Sequence, residues 1–129
     1  MEETEHQLSK GVASVFSVLA LWDFDASEIR GLLGFPSGTQ IAEWQAGNLA
    51  SMPLDVLQRL RHVGTIHNLL RDHSAGAAHW LRQPLAQLGN QTPVTRMASG
   101  DAADLIAVRD HLKSRQQFQI RLKRLRREP

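Results

Sequence analysis

The amino-acid sequence predicts an all-α protein of about seven helices, and three observations support that fold class. Apolar residues recur at intervals of three and four along most of the chain, and no stretch alternates apolar and polar residues at period two. Residue pairs typical of helix N-termini precede several of these stretches. The 129 residues include no cysteine, so disulfides do not replace a hydrophobic core.

Two long helices are predicted in the first half of the chain, over about 6–22 and about 53–72. Each carries an apolar stripe. The stripe of the first is formed by Leu8, Val12, Val15, Phe16 and Leu19, and that of the second by Leu54, Leu57, Leu60, either Val63 or Gly64, and Leu70. Pro53 suits the first turn of the second helix, where its missing N–H is not needed.

Two short helices are predicted between the long ones, over about 26–33 and about 38–46. Asp25 and Ser37 precede them, and Glu28 and Gln40 follow three residues later, which is the pattern of a capping box. Gly34 suits the left-handed position that ends the first short helix.

Three helices are predicted in the second half of the chain. The first covers about 75–83 and ends before Pro84, and a turn follows in the segment LAQLGNQ. Thr92 and Pro93 begin a short helix that reaches about Ser99. The last helix begins near Asp101 and continues to about Leu125.

Residues 26–47 have the organisation of a helix-turn-helix, because two short helices flank Gly34, which tolerates positive φ. The angle between the helices would be fixed by a small core of Ile29, Leu33, Ile41 and Trp44. The exposed start of the second helix would then enter the major groove of DNA. A helix–glycine–helix corner with no role in DNA binding is the alternative.

Positive charge is concentrated at the C-terminus. Residues 1–108 carry seven basic and eleven acidic groups, a net −4, whereas residues 109–129 carry eight basic and two acidic groups, a net +6. The second helix of the motif contains no Lys or Arg, so phosphate contacts have to come mainly from the tail. The predicted DNA-binding residues are Arg30, Ser37, Gly38, Thr39, Gln40, Arg121, Lys123, Arg124, Arg126 and Arg127.

The basic segment 113–127 has alternative interpretations. Phe118, Leu122 and Leu125 share one helical face while cations occupy the rest, so the segment suits a phosphate-binding arm or a helix that docks on another protein. A solvated helix end is the third interpretation, since cations there complement the helix dipole. A membrane-surface helix is least favoured, because the apolar face is narrow and has no Trp.

A series of short motifs begins at His79. It reads His-Trp-Leu-Arg-Gln-Pro over 79–84, then Leu88-Gly89, Thr92-Pro93-Val94 and Gly100-Asp101-Ala102-Ala103. In order and spacing, these motifs resemble the toxin-binding domain of the Xre/MbcA/ParS-type antitoxins, which commonly follows a helix-turn-helix. The resemblance covers roughly residues 12–113. Leu85 stands where the family usually has Asn, and Asn90 stands at its second turn glycine.

The resemblance implies an antitoxin that neutralises a cognate toxin related to ADP-ribosyltransferases or consuming NAD, and that represses its own operon. It implies an Xre-like domain over 1–73, a toxin-binding domain over 74–113 and a basic extension over 114–129. The toxin-binding residues it implies are Trp80, Leu81, Pro84, Leu88, Gly89, Thr92 and Pro93. Operator DNA and a second copy of the chain are the other expected partners, since a palindromic site needs two recognition helices. A stand-alone regulator and an adaptor that no longer binds DNA are the alternatives.

Other classes of function find no support in the sequence. Nucleotide-binding loops, hydrolase elbows and HExxH are absent, and the spacing of His62, His67 and His73 does not place them on one helical face. We therefore expect no enzyme activity, metal or cofactor. For Trp80, the alternative to a toxin contact is a role as the core anchor of the C-terminal half. An acidic N-terminus and the lack of a long apolar run lead us to expect a cytoplasmic protein.

Overall fold

The computed structural model describes residues 2–71 and 76–127, and side chains from residue 7 onward within those ranges. This part of the chain is all-α and contains no strand. Its α-helices are α1 (Glu2–Leu21), α2 (Ala26–Leu32), α3 (Gly38–Gln45), α4 (Leu54–Leu70), α5 (Ala77–Leu81), α6 (Pro93–Met97) and α7 (Ala102–Arg127). A 3-10 helix, Ala86–Leu88, lies between α5 and α6.

The three long helices build the core. α4 packs against both α1 and α7, while α2 packs on α6 and α3 packs on α1. Their buried apolar residues recur at helical spacing, with Val12, Phe16 and Leu19 on α1, Val56, Leu60, Val63, Ile66 and Leu70 on α4, and Leu105, Val108 and Leu112 on α7. The two short helices α2 and α3 are therefore held by different helices, α2 by α6 and α3 by α1.

The predicted helix starts are confirmed. Asp25 with Glu28 and Ser37 with Gln40 each form a complete capping box, in which both reciprocal hydrogen bonds are present. Thr92 caps α6 with Pro93 in its first turn. Gly34 has φ +85°, as the end of the first short helix requires.

The predicted stripe of α4 was wrong at its first residue. Leu54 is exposed, because it lies about 200° around the helix from Val56, where the buried face begins. Pro53 is the N-cap of α4 and Leu54 its first residue. Leu8 is also on the rim of the core, with 38% of its surface exposed.

One core joins the two predicted halves. The predicted boundary at residues 73 and 74 lies outside the described residues. On either side of it, buried residues of α1–α4 and of α5–α7 belong to the same hydrophobic cluster. The two predicted halves therefore share a hydrophobic core, which fixes how their surfaces are placed. The division into two domains stays a prediction.

Candidate functional site

The segment 76–93 forms a surface built on buried anchors. Trp80 and Leu81 point into the core from α5, and Leu88 does so from the 3-10 helix. The Trp80 ring stacks on His111 of α7, with the ring centroids 6.2 Å apart and the planes 13° from parallel. These anchors tie the segment to α7 and leave its polar residues at the surface.

The turn 85–91 is closed by its own backbone. Leu85 N–H donates to the Gln91 carbonyl at 3.1 Å, and Asn90 N–H donates to the Leu85 carbonyl at 2.9 Å. Gly89 and Asn90 both have left-handed backbone, with φ +66° and +63°. Asparagine tolerates left-handed backbone better than most residues, so Asn90 can occupy the position of the family's second turn glycine.

The structure divides the predicted toxin-binding residues between core and surface. Four of them are buried, namely Trp80, Leu81, Leu88 and Pro93. Pro84 and Gly89 are exposed, while Thr92 is half-buried and its hydroxyl accepts from Thr95 N–H. The buried members can act on a partner only by positioning exposed neighbours.

Those exposed neighbours were not singled out from the sequence. They are Gln83, Ala86, Gln87, Asn90 and Gln91, which form an uncharged rim around Pro84 and Gly89. The sequence signal that could have identified these neighbours is the placement of polar or small residues between apolar anchors. A rim whose backbone is already closed loses little conformational entropy when a partner binds.

Two histidines beneath these surfaces favour the neutral form. Burial, followed by the nearby charge of Arg115, lowers the pKa of His111, which stacks on Trp80. Burial and the Arg109 guanidinium likewise lower the pKa of His62, whose Nδ1 lies 3.0 Å from Arg109 Nη1. Among the described residues, no three His, Asp or Glu side chains are placed to hold a metal ion. His73, part of the histidine series considered in the sequence, lies outside the described residues.

The start of α3 is exposed, but two of its predicted DNA-binding side chains are engaged. Ser37 Oγ accepts from Gln40 N–H at 3.1 Å, and Gln40 Oε1 accepts from Ser37 N–H at 3.0 Å. Gly38 and Thr39 are exposed. Arg30 is exposed too, and its Nε donates to the Pro36 carbonyl, which braces the turn between α2 and α3.

Arg59 joins α2 to the second half of the chain. Its guanidinium donates to the Leu32 carbonyl at 3.3 Å, to the Gly100 carbonyl at 2.9 Å and to Asp55 at 2.9 Å. Only 9% of Arg59 is exposed. This residue was not predicted from the sequence, although it lies on the buried face of α4 four residues after Asp55.

Two further contacts hold the same junction. A Cβ on Gly31 of α2 would collide with the Ala98 carbonyl oxygen, so only glycine permits this approach of α2 to the end of α6. Arg82 pairs with Glu28 at 3.0 Å and donates to the Asp23 carbonyl at 2.7 Å. Its hydrogen bond is the main cause that lowers the pKa of the Glu28 carboxyl.

The last fifteen described residues of α7 extend beyond the core. Every residue from 113 to 127 is exposed, and the segment carries seven cations and no acidic residue. Phe118, Leu122 and Leu125 lie on one face with 61%, 37% and 69% of their surfaces exposed. All five tail cations predicted to bind DNA, Arg121, Lys123, Arg124, Arg126 and Arg127, are therefore accessible.

Residues 67–117 match the family described as the antitoxin Xre/MbcA/ParS C-terminal toxin-binding domain. The match covers 51 of the 129 residues and supports an antitoxin of the Xre/MbcA/ParS type. The match begins at the end of α4, includes the turn 85–91 and ends one residue before Phe118. It supports an antitoxin role with a toxin as partner.

A second comparison links the chain to a protein without an assigned activity. The uncharacterized protein y4oB of Sinorhizobium fredii is 26% identical over 100 residues, which cover 75% of this chain and 77% of that protein. No solved structure matches the chain significantly. Within the described residues, no helix of this chain has the length and apolar character needed to cross a membrane.

Proposed function

We propose that this antitoxin neutralises a cognate toxin of ADP-ribosyltransferase-like, NAD-consuming chemistry and represses its own operon as a homodimer. The observation that carries the proposal is the match of residues 67–117 to the toxin-binding domain, which includes the preformed turn 85–91. The toxin chemistry is the one that the family resemblance implies.

The exposed rim of the turn is the proposed toxin contact. Trp80, Leu81, Leu88 and Pro93 hold the rim from beneath, while Pro84, Ala86, Gln87 and Gly89 present it to the partner. An uncharged rim can be buried against a toxin cleft without the cost of desolvating a charge. Covering the cleft would keep substrate from the toxin.

Ala86→Trp tests the contact. Ala86 is exposed, so the larger side chain leaves the fold intact but clashes in a closely packed interface. We expect toxin affinity to fall at least about tenfold, or about 1.4 kcal/mol. The measurement is titration against the toxin encoded by the neighbouring gene, with NAD consumption as the readout of neutralisation.

Ala13→Trp is the matched control, since Ala13 is exposed on α1, away from the turn. Equal binding by the two variants would place the toxin elsewhere on the surface. If the wild-type chain neither binds nor neutralises the neighbouring toxin yet binds operator DNA, the stand-alone regulator is the better description.

In the proposed DNA complex, α3 sets the position of the protein on the DNA, and the tail supplies most of the affinity for DNA. The first amides of α3, at Gly38 and Thr39, lie at the positive end of the helix dipole and suit a backbone phosphate. Thr39 is free of the capping box that engages Ser37 and Gln40. The exposed tail cations supply the sequence-independent attraction to phosphates.

Lys123→Gln with Arg124→Gln tests the tail. Each lost phosphate contact lowers the dependence of log K on log salt by about 0.9, so the double variant should lose about 1.8 from the slope. The measurement is operator binding by fluorescence anisotropy across a salt series. Lys10→Gln with Arg71→Gln removes the same two residue types from exposed positions of α1 and the end of α4. Identical slopes for both double variants would rule out the tail as the phosphate contact.

An adaptor that no longer binds DNA is the second candidate. It is favoured by the absence of Lys and Arg from α3 and by the use of Ser37 and Gln40 in capping. Toxin binding together with no salt-dependent binding to operator-length DNA would support the adaptor over the repressor.

A further inference from the structure

The segment 76–93 offers a partner no large apolar side chain. Trp80, Leu81 and Leu88 are buried and Leu85 is half-buried, and none of the exposed large apolar residues of the described chain lies in this segment. Protein interfaces of standard size bury about 800 Å² on each partner, and large apolar and aromatic side chains are enriched at their centres. A tight complex at the rim of the turn 85–91 therefore requires an anchor from a neighbouring part of the surface.

The apolar face of the tail lies on the side of α7 that carries this segment. Phe118, Leu122 and Leu125, which we call the tail stripe, lie within about 60° of one another around α7. His111 lies on the same face, seven residues before Phe118, and its ring stacks on Trp80 of α5. The 3-10 helix of the turn also packs on α7. The tail stripe therefore continues the face of α7 against which α5 packs.

The opposite side of α7 faces α4. Arg109 lies about 160° around α7 from His111, and its Nη1 lies 3.0 Å from Nδ1 of His62 on α4. In the tail, Ile120, Arg124 and Arg127 lie within about 60° of the direction of Arg109. The tail thus has an apolar side continuous with the toxin-binding segment and a mostly cationic side continuous with the α4 contact.

The tail stripe is close enough to the segment for one partner to cover both. Phe118 and Leu125 lie about 10.5 Å and about 21 Å along the axis of α7 from His111. An interface patch of standard size is roughly 30 Å across. The match to the toxin-binding domain ends at residue 117, so the tail stripe begins where the domain ends.

The charges beside the tail stripe indicate the chemistry of the partner surface. Arg121 and Arg126 flank it at about 70° on either side, and residues 113–127 carry seven cations and no acidic residue. Two tails packed side by side would bring fourteen cations together, which repulsion opposes. Phosphates would attract the cations but offer no apolar surface to the stripe. A protein groove with an apolar floor and acidic rims matches both features.

We propose that the toxin, while it covers the turn 85–91, also holds the tail stripe in an apolar groove with acidic rims. Phe118, Leu122 and Leu125 anchor the tail in that groove, and Arg121 and Arg126 face its two rims. The cations on the α4 side of the tail stay available for phosphates, so toxin and DNA use opposite sides of one helix. The inference rests on the proposed function and extends its toxin contact beyond the family's domain.

Titration of full-length variants against the toxin encoded by the neighbouring gene tests the anchor. Phe118→Gln and Leu125→Gln should each lower toxin affinity at least about tenfold. Ile120→Gln is the matched control, because Ile120 is exposed but lies about 140° around α7 from Leu125, and its effect should stay within about twofold. All three side chains are exposed and glutamine favours helix, so urea unfolding should be unchanged.

The acidic rims are tested by a pair of double variants. Arg121→Gln with Arg126→Gln should weaken toxin binding and reduce its dependence on salt, because both cations flank the tail stripe. Arg124→Gln with Arg127→Gln removes the same charge from the α4 side and should leave toxin affinity and its salt dependence near those of the wild-type chain. Equal effects of the two double variants would contradict the acidic groove.

The remaining outcomes separate this inference from the proposed function. If Ala86→Trp weakens toxin binding while Phe118→Gln and Leu125→Gln do not, the inference is overturned and the toxin contact at the turn stands. If the wild-type chain does not bind the toxin, both are overturned. Stripe variants that keep toxin affinity but weaken self-association in sedimentation, or operator binding, would assign the tail stripe to a second copy or to DNA and overturn the inference.

Discussion

Replacing Trp80 with alanine is expected to lower the free energy of unfolding by about 3–5 kcal/mol. Trp80 is 6% exposed and stacks on His111, so the variant leaves a cavity between α5 and α7. A loss of this size is a large part of the stability of an ordinary domain, about 5–15 kcal/mol. Urea unfolding followed by circular dichroism measures the difference.

His79→Ala is the control for this change, because His79 is the exposed neighbour of Trp80 on α5. Its effect should stay within about 0.5 kcal/mol. If Trp80→Ala instead unfolded like the wild-type chain and lost only toxin affinity, Trp80 would be a direct toxin contact and not an anchor of the turn.

Arg59→Met is expected to lower the free energy of unfolding by about 3 kcal/mol. Methionine keeps much of the buried volume but leaves the Leu32 and Gly100 carbonyls without their donor. Each unsatisfied buried carbonyl costs about 1–3 kcal/mol. The effect should be accompanied by faster hydrogen exchange at the end of α2 and at the start of α7, which Arg59 joins.

Arg61→Met provides the comparison on the same helix, since Arg61 is exposed. A change below about 0.5 kcal/mol is expected there. Equal unfolding free energies for the two variants would show that the hydrogen bonds of Arg59 do not stabilise the junction between α2 and α7.

Local sequence patterns predicted the helices because the interactions that begin and end a helix are local. The capping boxes at Asp25 and Ser37 join residues only three apart, and the left-handed end at Gly34 depends on one residue's φ. Leu54 was wrongly assigned to the buried face because the leucines of α4 are compatible with more than one buried face. Packing against α1 and α7 selects which face is buried.

The candidate site was predictable in place but not in detail. The order of motifs from His79 to Ala103 pointed to the family whose model matches residues 67–117. It could not distinguish Trp80, which is buried, from Pro84, which is exposed, because both belong to the same motif. Burial depends on α7, whose His111 lies thirty-one residues along the chain from Trp80.

The sequence by itself determined the helical fold class, the caps, the uneven charge and the family of the C-terminal segment, because each is a property of neighbouring residues or of their order. Only the tertiary structure decided that Arg59 joins α2 to the turn before α7 and that the turn 85–91 presents its polar rim. It also left the apolar face of the tail, formed by Phe118, Leu122 and Leu125, exposed. These features depend on contacts between residues far apart in the chain, and the packing of α1, α4 and α7 brings them about.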